Sequence, residues 1–158
     1  MRVMEKSTLE PRDFGENQVP TYIKYISYKT FHFFFHRFFV TKGQEPYMKL
    51  PVTPGHEFSG RVVALGEGSK GHHGVDVGDL VVSEQIVACG LCRFCKNGNY
   101  QVCPDHTVYG FQRETNGAMA GYMIFPEKAR VHKIPEGVPP HHATFVEPLG
   151  LYIVLFCI

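Results

Sequence analysis

The stretch CGLCRFCKNGNYQVC, Cys89 to Cys103, carries four cysteines in the spacing C-x2-C-x2-C-x7-C. Thiolates this close along a chain can turn onto one ion, and four sulfur donors at tetrahedral angles suit Zn²⁺, a metal without redox chemistry of its own. A closed four-sulfur site is structural. Cys89, Cys92, Cys95 and Cys103 are therefore expected to hold one zinc and staple a loop, which leaves the chemistry to other residues. Two rival uses of the cysteines are disfavoured. Disulfides need an oxidising compartment, and nothing at the N-terminus resembles a signal peptide, so a cytoplasmic location is expected. An iron–sulfur centre gains some support from Pro104 after Cys103, but ferredoxin-type runs place the last cysteine much closer.

Working outward, the chain has 158 residues, one ordinary domain's worth, of which 44% are hydrophobic. Sixteen basic and fifteen acidic residues leave a net charge of +1, so there is no electrostatic footprint for nucleic acid or an anionic membrane. Two apolar runs, Phe31 to Val40 (FHFFFHRFFV) and Leu149 to Ile158 (LGLYIVLFCI), fall far short of the ~20 residues needed to span a bilayer. No membrane contact is expected, and Cys157 in the second run reads as a buried free thiol. Sixteen Gly and eleven Pro are spread among short apolar segments, the pattern of a mainly β domain with frequent turns. Residues 1–20 read as a short strand and an exposed connection. Further strands are expected at Tyr22–Ile26, Gly60–Gly66, Val75–Val82, Ala118–Phe125 and Ala129–Ile134, closing a compact barrel, with a helix from His141 onward.

One motif match fails on context. Gly66-Glu67-Gly68-Ser69-Lys70-Gly71 fits G-x-G-x-x-G, but a phosphate would need a helix N-terminus directly after the glycines, and HHGVDVGDL offers turns and another strand. No cofactor-binding residues are assigned there.

Gly55-His56-Glu57 sets an imidazole beside a carboxylate at the entry to the Gly60 strand, and Glu147-Pro148 stands near the C-terminus. Imidazole and carboxylate ligands with an open position would make zinc a Lewis acid toward an alcohol or carbonyl oxygen. Taken singly, both motifs are weak. In order, however, PGHEFSGRVVALGEG, DVGDLVV, the cysteine loop and Glu147-Pro148 closely resemble the zinc-dependent medium-chain alcohol and polyol dehydrogenases, over Pro51 to Leu149. EQIVACGLCRFCKNGNY and YGFQRETNGAMAGYM look most like the sorbitol, threonine and erythritol or threitol branch.

The resemblance implies a GroES-like barrel with a zinc-binding lobe and a few short helices. It makes Cys89, Cys92, Cys95 and Cys103 ligands of the structural zinc, and His56 and Glu57 a remnant of the catalytic zinc motif. Glu57 and Glu147 are implied as catalytic residues, with a small alcohol or polyol as substrate. In such enzymes zinc supplies charge stabilisation while hydride passes to NAD(P) held by a separate Rossmann domain.

The sequence departs from that pattern twice. Where the family has a cysteine ligand in a Gly-Ile-Cys-like turn, this chain has Phe31, with His32 and His36 as the nearest substitutes. After Glu147 there is no strand, glycine-rich turn and helix to hold a nicotinamide. Residues 1–150 are accordingly expected to be the catalytic domain, atypical over 25–50, and 151–158 the start of a connection to an absent Rossmann domain. The aromatic run and the apolar tail both read unlike the flanking family sequence, and translated non-coding sequence or an altered gene model would account for both. The expectation is a domain inactive alone, with one structural zinc and NAD(P) only in an intact relative. Two alternatives are a zinc-stabilised interaction module presenting Arg93, Phe94, Lys96 and Tyr100, and a degenerate subunit that docks on intact relatives as a homo- or hetero-oligomer.

Overall fold

The computed structural model describes residues 21–25, 51–66 and 73–156. Within them the regular structure is seven strands and a few short helices. Strands β1 (Thr21–Tyr25), β2 (Gly60–Ala64), β3 (Leu80–Ser83), β6 (Tyr122–Phe125) and β7 (Val131–Lys133) form a five-stranded sheet in the order β6-β1-β2-β3-β7. Every neighbouring pair is antiparallel. Strands β4 (Ile86–Val87) and β5 (Thr107–Val108) form a separate two-stranded ribbon. Helix α1 spans Arg93–Lys96 and is followed by a 3₁₀ turn at Tyr100–Val102; α2 spans Pro140–Ala143 and α3 spans Val146–Phe156.

β3 reads as an unbroken apolar run because both of its faces are covered. Val81 joins a cluster with Phe58, Val62, Tyr109 and Phe125, whereas Leu80 and Val82 point into a second cluster with Ile134 and Ala143. The first cluster is built around three aromatic rings. Phe58 meets Tyr109 edge-on at 5.5 Å, and Phe125 lies 5.8 Å from each. Such pairs add about 0.5–1.5 kcal/mol beyond the area they bury. Since Phe58 directly follows Glu57, core packing also anchors the polar segment that precedes β2.

Four expected strands are shorter than their sequence suggests: Gly60–Gly66 is strand only as far as Ala64, and the other three are cut short for local reasons. Of Val75–Val82, only the part from Leu80 is strand. Asp76 accepts from the Asp79 amide, and the Asp79 carboxylate accepts from the Asp76 amide, so the two aspartates fold the chain into a turn. Lys133 pairs with Asp79 at 2.8 Å and holds its carboxyl below the usual range. Of Ala118–Phe125, only Tyr122 onward is strand, because Ala118 and Met119 donate their amides to Gly55 and Pro54 instead. Of Ala129–Ile134, Val131–Lys133 is strand, after a turn in which Ala129 donates to Pro126. The helix expected from His141 begins at Pro140, where a missing N–H costs nothing. It tightens where Phe145 donates to His142, three residues back, and resumes as α3. The N-terminal twenty residues, Ile26, the Phe31–Val40 run, the Glu67–Gly71 part of the glycine motif and Cys157 lie outside the described residues.

The segment ahead of β2 is gripped tightly. Gly117 donates to the Thr53 carbonyl at 2.7 Å, Ala118 to Gly55 at 3.0 Å and Met119 to Pro54 at 2.9 Å. The Asn116 side chain accepts from the Thr53 amide at 3.0 Å. This approach requires bare backbone. A Cβ on Gly117 would sit 2.3 Å from the Gly55 oxygen, and one on Gly110 would sit 2.6 Å from the Gly55 nitrogen.

Gly117→Ala should therefore lower the urea unfolding free energy of the zinc-loaded chain by about 2–3 kcal/mol, through backbone overpacking. Gly121, with no heavy atom within 4 Å of its would-be Cβ, is the control. Gly121→Ala is expected to change stability by less than about 0.5 kcal/mol.

Candidate metal centres

The cysteine lobe is built by local turns. Cys92 stands at the N-terminus of α1, and Lys96 donates to its carbonyl at 3.0 Å, so one helical turn brings Cys95 back to it. The sulfurs of Cys92 and Cys95 are 3.5 Å apart, those of Cys92 and Cys103 3.8 Å, and those of Cys89 and Cys95 3.9 Å. All four lie within 4.8 Å of one another. A tetrahedral ion with Zn–S bonds of about 2.3 Å would set its sulfurs ~3.8 Å apart, so the cluster fits a structural zinc site. None of the four is in a disulfide.

The electrostatics agree with that fit. Amides of Leu91 and Cys92 donate to the Cys89 sulfur at 3.4 Å each, and they lower its thiol to about 6. Burial, reinforced by the contact with Cys92, pushes Cys95 up to about 12. Backbone dipoles thus favour the Cys89 thiolate while burial and the Cys92 contact disfavour the Cys95 thiolate, a conflict that a bound cation would relieve.

The lobe docks on the sheet through Tyr100. The Arg130 guanidinium lies 3.7 Å over its ring, and burial followed by a hydrogen bond to Glu84 raises its phenol above the ordinary range. Of the four residues considered as an interaction surface, Tyr100 is spent on this docking, and the Phe94 ring lies 4.7 Å beneath the Arg93 guanidinium.

A second group forms from residues far apart in sequence. Ligand atoms of His56, Glu57 and Glu147 lie within 4.8 Å of one another. His56 Nε2 and Glu57 Oε1 are 4.0 Å apart, and both side chains are largely covered, 14% and 19% exposed. The Phe111 ring stands 5.7 Å from the imidazole. The grip on Thr53–Gly55 fixes His56 and Glu57 from one side, while Glu147 arrives in the first turn of α3, where the helix dipole favours a carboxylate. One imidazole and two carboxylates suit a zinc ion with a position left open. Phe31, His32 and His36 lie outside the described residues, so the place of the missing cysteine is not among them.

Sequence reasoning singled out the motifs that meet here but passed over the residues that hold them. Gly110, Gly117, Ser59 and Thr144 carry no metal-ligand chemistry. The one signal they left was the run of small residues Asn116-Gly117-Ala118 and the buried Ser-Gly after Phe58. Among the described residues, no helix is long and apolar enough to cross a membrane.

The alcohol dehydrogenase GroES-like domain family matches residues 24–136. Erythritol/L-threitol dehydrogenase of Mycolicibacterium smegmatis is 49% identical over 114 residues, 72% of this chain and 32% of that protein. L-threonine 3-dehydrogenase of Pyrococcus horikoshii is 39% identical over 103 residues, 65% of this chain and 28% of that one. The crystal structure of galactitol-1-phosphate dehydrogenase from Escherichia coli superposes with a TM-score of 0.66 at 26% identity, covering 90% of this chain and 38% of that one. The chain thus spans about a third of the length of the curated relatives it matches.

Metal analysis should find one tightly held zinc per chain after dialysis. Cys92→Ser and Cys103→Ser are each expected to lose it and to loosen the lobe, because a closed site depends on every ligand. Unchanged zinc in both variants, or iron in its place, would contradict the assignment.

Proposed function

Because this chain belongs to the alcohol dehydrogenase GroES-like domain family, we propose that it is the metal-carrying catalytic domain of a zinc-dependent dehydrogenase for small alcohols or polyols, with NAD(P) as hydride acceptor. The convergence of His56, Glu57 and Glu147 carries this reading: two motifs about 90 residues apart meet within 4.8 Å, separately from a closed four-sulfur set. The names of the similar proteins support the substrate class, since one acts on erythritol and L-threitol and the other on L-threonine.

In this reading the cysteine lobe is scaffold, and His56, Glu57 and Glu147 would hold a second zinc. When bound, that ion supplies Lewis-acid stabilisation of negative charge on a substrate oxygen. The chain's own residues arrange the setting: Phe58 locks the backbone behind Glu57, and the carboxylate of Glu147 is presented from a helix start. With nitrogen and oxygen donors and no thiolate, the second site is weaker than the first. The five-stranded sheet is then the described part of a GroES-like barrel within residues 1–150, and 151–158 begin a connection toward a cofactor domain. Among the described residues, α3 is the helix longer than one turn, and no glycine-rich turn precedes it, so nothing there would receive a pyrophosphate.

A chimera tests the reading. Residues 51–149 would replace the aligned part of the Mycolicibacterium smegmatis erythritol/L-threitol dehydrogenase, whose remaining segments stay in place. The zinc-loaded chimera should oxidise erythritol or L-threitol, and His56→Ala or Glu57→Gln should lower its kcat/KM more than roughly a hundredfold. A folded, zinc-loaded chimera without turnover would contradict it. The isolated chain is expected neither to bind NADH or NADPH saturably nor to oxidise threitol, sorbitol or threonine, because hydride transfer needs the nicotinamide held in line with the reacting carbon. Micromolar cofactor binding by the isolated chain, with turnover lost in Glu57→Gln, would overturn that division of labour.

A further inference from the structure

Ser59 lies two residues beyond Glu57 and is fully buried, at 0% exposure. Its hydroxyl donates to the Pro140 carbonyl at 2.7 Å, across 81 residues of chain. It also stands 3.3 Å from the hydroxyl of Thr144, which itself reaches the Pro140 carbonyl at 3.2 Å. Each hydroxyl has one proton to give. Both hydroxyls are thus directed at the same Pro140 carbonyl, and they stand against each other as they reach it.

These bonds join the entry of β2 to the corner between α2 and α3. Thr144 precedes Glu147 by three residues, at the corner where α2 ends and just before α3 begins. The result is two rungs between the same pair of segments: Glu57 meets Glu147, and Ser59 meets Thr144. Apolar packing seats the corner, since Ala143 lies in the cluster of Leu80, Val82 and Ile134. Contact between methyl groups sets a distance but is non-directional, whereas hydrogen bonds weaken steeply with angle. We propose that Ser59 and Thr144 are positioning residues that fix the rotation of the α2–α3 corner, and so carry the Glu147 carboxylate to His56 and Glu57. The proposal rests on reading those three residues as a metal site.

Cobalt titration of the full chain, with the cysteine lobe preloaded with zinc, tests it. In the parent protein, weak visible d–d bands without thiolate charge transfer should saturate and should be lost in Glu147→Gln. Ser59→Ala and Thr144→Val should weaken cobalt binding roughly tenfold or more while the cysteine lobe keeps its zinc. Thr144→Ser, which retains the hydroxyl, should bind as the parent does. Parent-like affinity in Ser59→Ala and Thr144→Val overturns the proposal, as does equal loss in Thr144→Ser and Thr144→Val. Parallel loss of zinc from the cysteine lobe in Ser59→Ala and Thr144→Val also overturns it, because the role would then be general to the fold. If the parent itself shows no saturable cobalt site, the metal reading fails rather than the latch, and amide exchange decides the latter. Faster exchange at Thr144, Phe145 and Leu149 in Ser59→Ala, with the cysteine lobe unchanged, supports the latch; unchanged exchange there overturns it.

Discussion

The backbone hydrogen bonds that Gly117, Ala118 and Met119 give to Thr53, Gly55 and Pro54 are the constraint on which the rest of the molecule depends. They draw two irregular segments so close that neither Gly110 nor Gly117 has room for a Cβ. Buried backbone amides must find acceptors, and here they find them on the one stretch that leads into His56 and Glu57. Phe58 then enters the aromatic core, Ser59 reaches α2, and β2 begins. In seven residues the chain passes from the clamped Thr53 through the candidate ligands His56 and Glu57 to the core at Phe58 and the Ser59 bond to Pro140.

What was legible in the sequence was local. The cysteine spacing announces its lobe because all four ligands come from one loop, and the sulfur separations of 3.5–3.9 Å meet that expectation. The meeting of Glu147 with His56 and Glu57 was not readable from residue chemistry, since no local pattern encodes a contact across about ninety positions; only the order of motifs hinted at it. Strand ends were misjudged where side chains or distant backbone competed for the ladder. Val77 belongs to a β-branched run, yet it is 61% exposed in a turn closed by Asp76 and Asp79. Ala118 and Met119 look like strand, yet their amides serve the clamp.

The two candidate centres make opposite physical demands. The cysteine lobe gathers four sulfurs at one corner, where backbone amides lower the Cys89 thiol to about 6 and burial raises that of Cys95 to about 12. The second group is assembled from two separate parts of the fold, so its geometry is only as good as the elements that hold it. The sulfur lobe, docked through Tyr100 and Arg130, and the His56, Glu57 and Glu147 group are two separate sets of candidate ligands.

The central claim is that one small domain builds both a closed sulfur site and an open nitrogen–oxygen site. Zinc K-edge X-ray absorption of the chain, loaded with one and then two equivalents of metal, tests it most directly. The first equivalent should show only sulfur at about 2.3 Å, and the second should add nitrogen and oxygen near 2.0–2.1 Å without changing the sulfur shell. A mixed shell from the first equivalent onward, or a second that adds no protein ligand, would contradict the account.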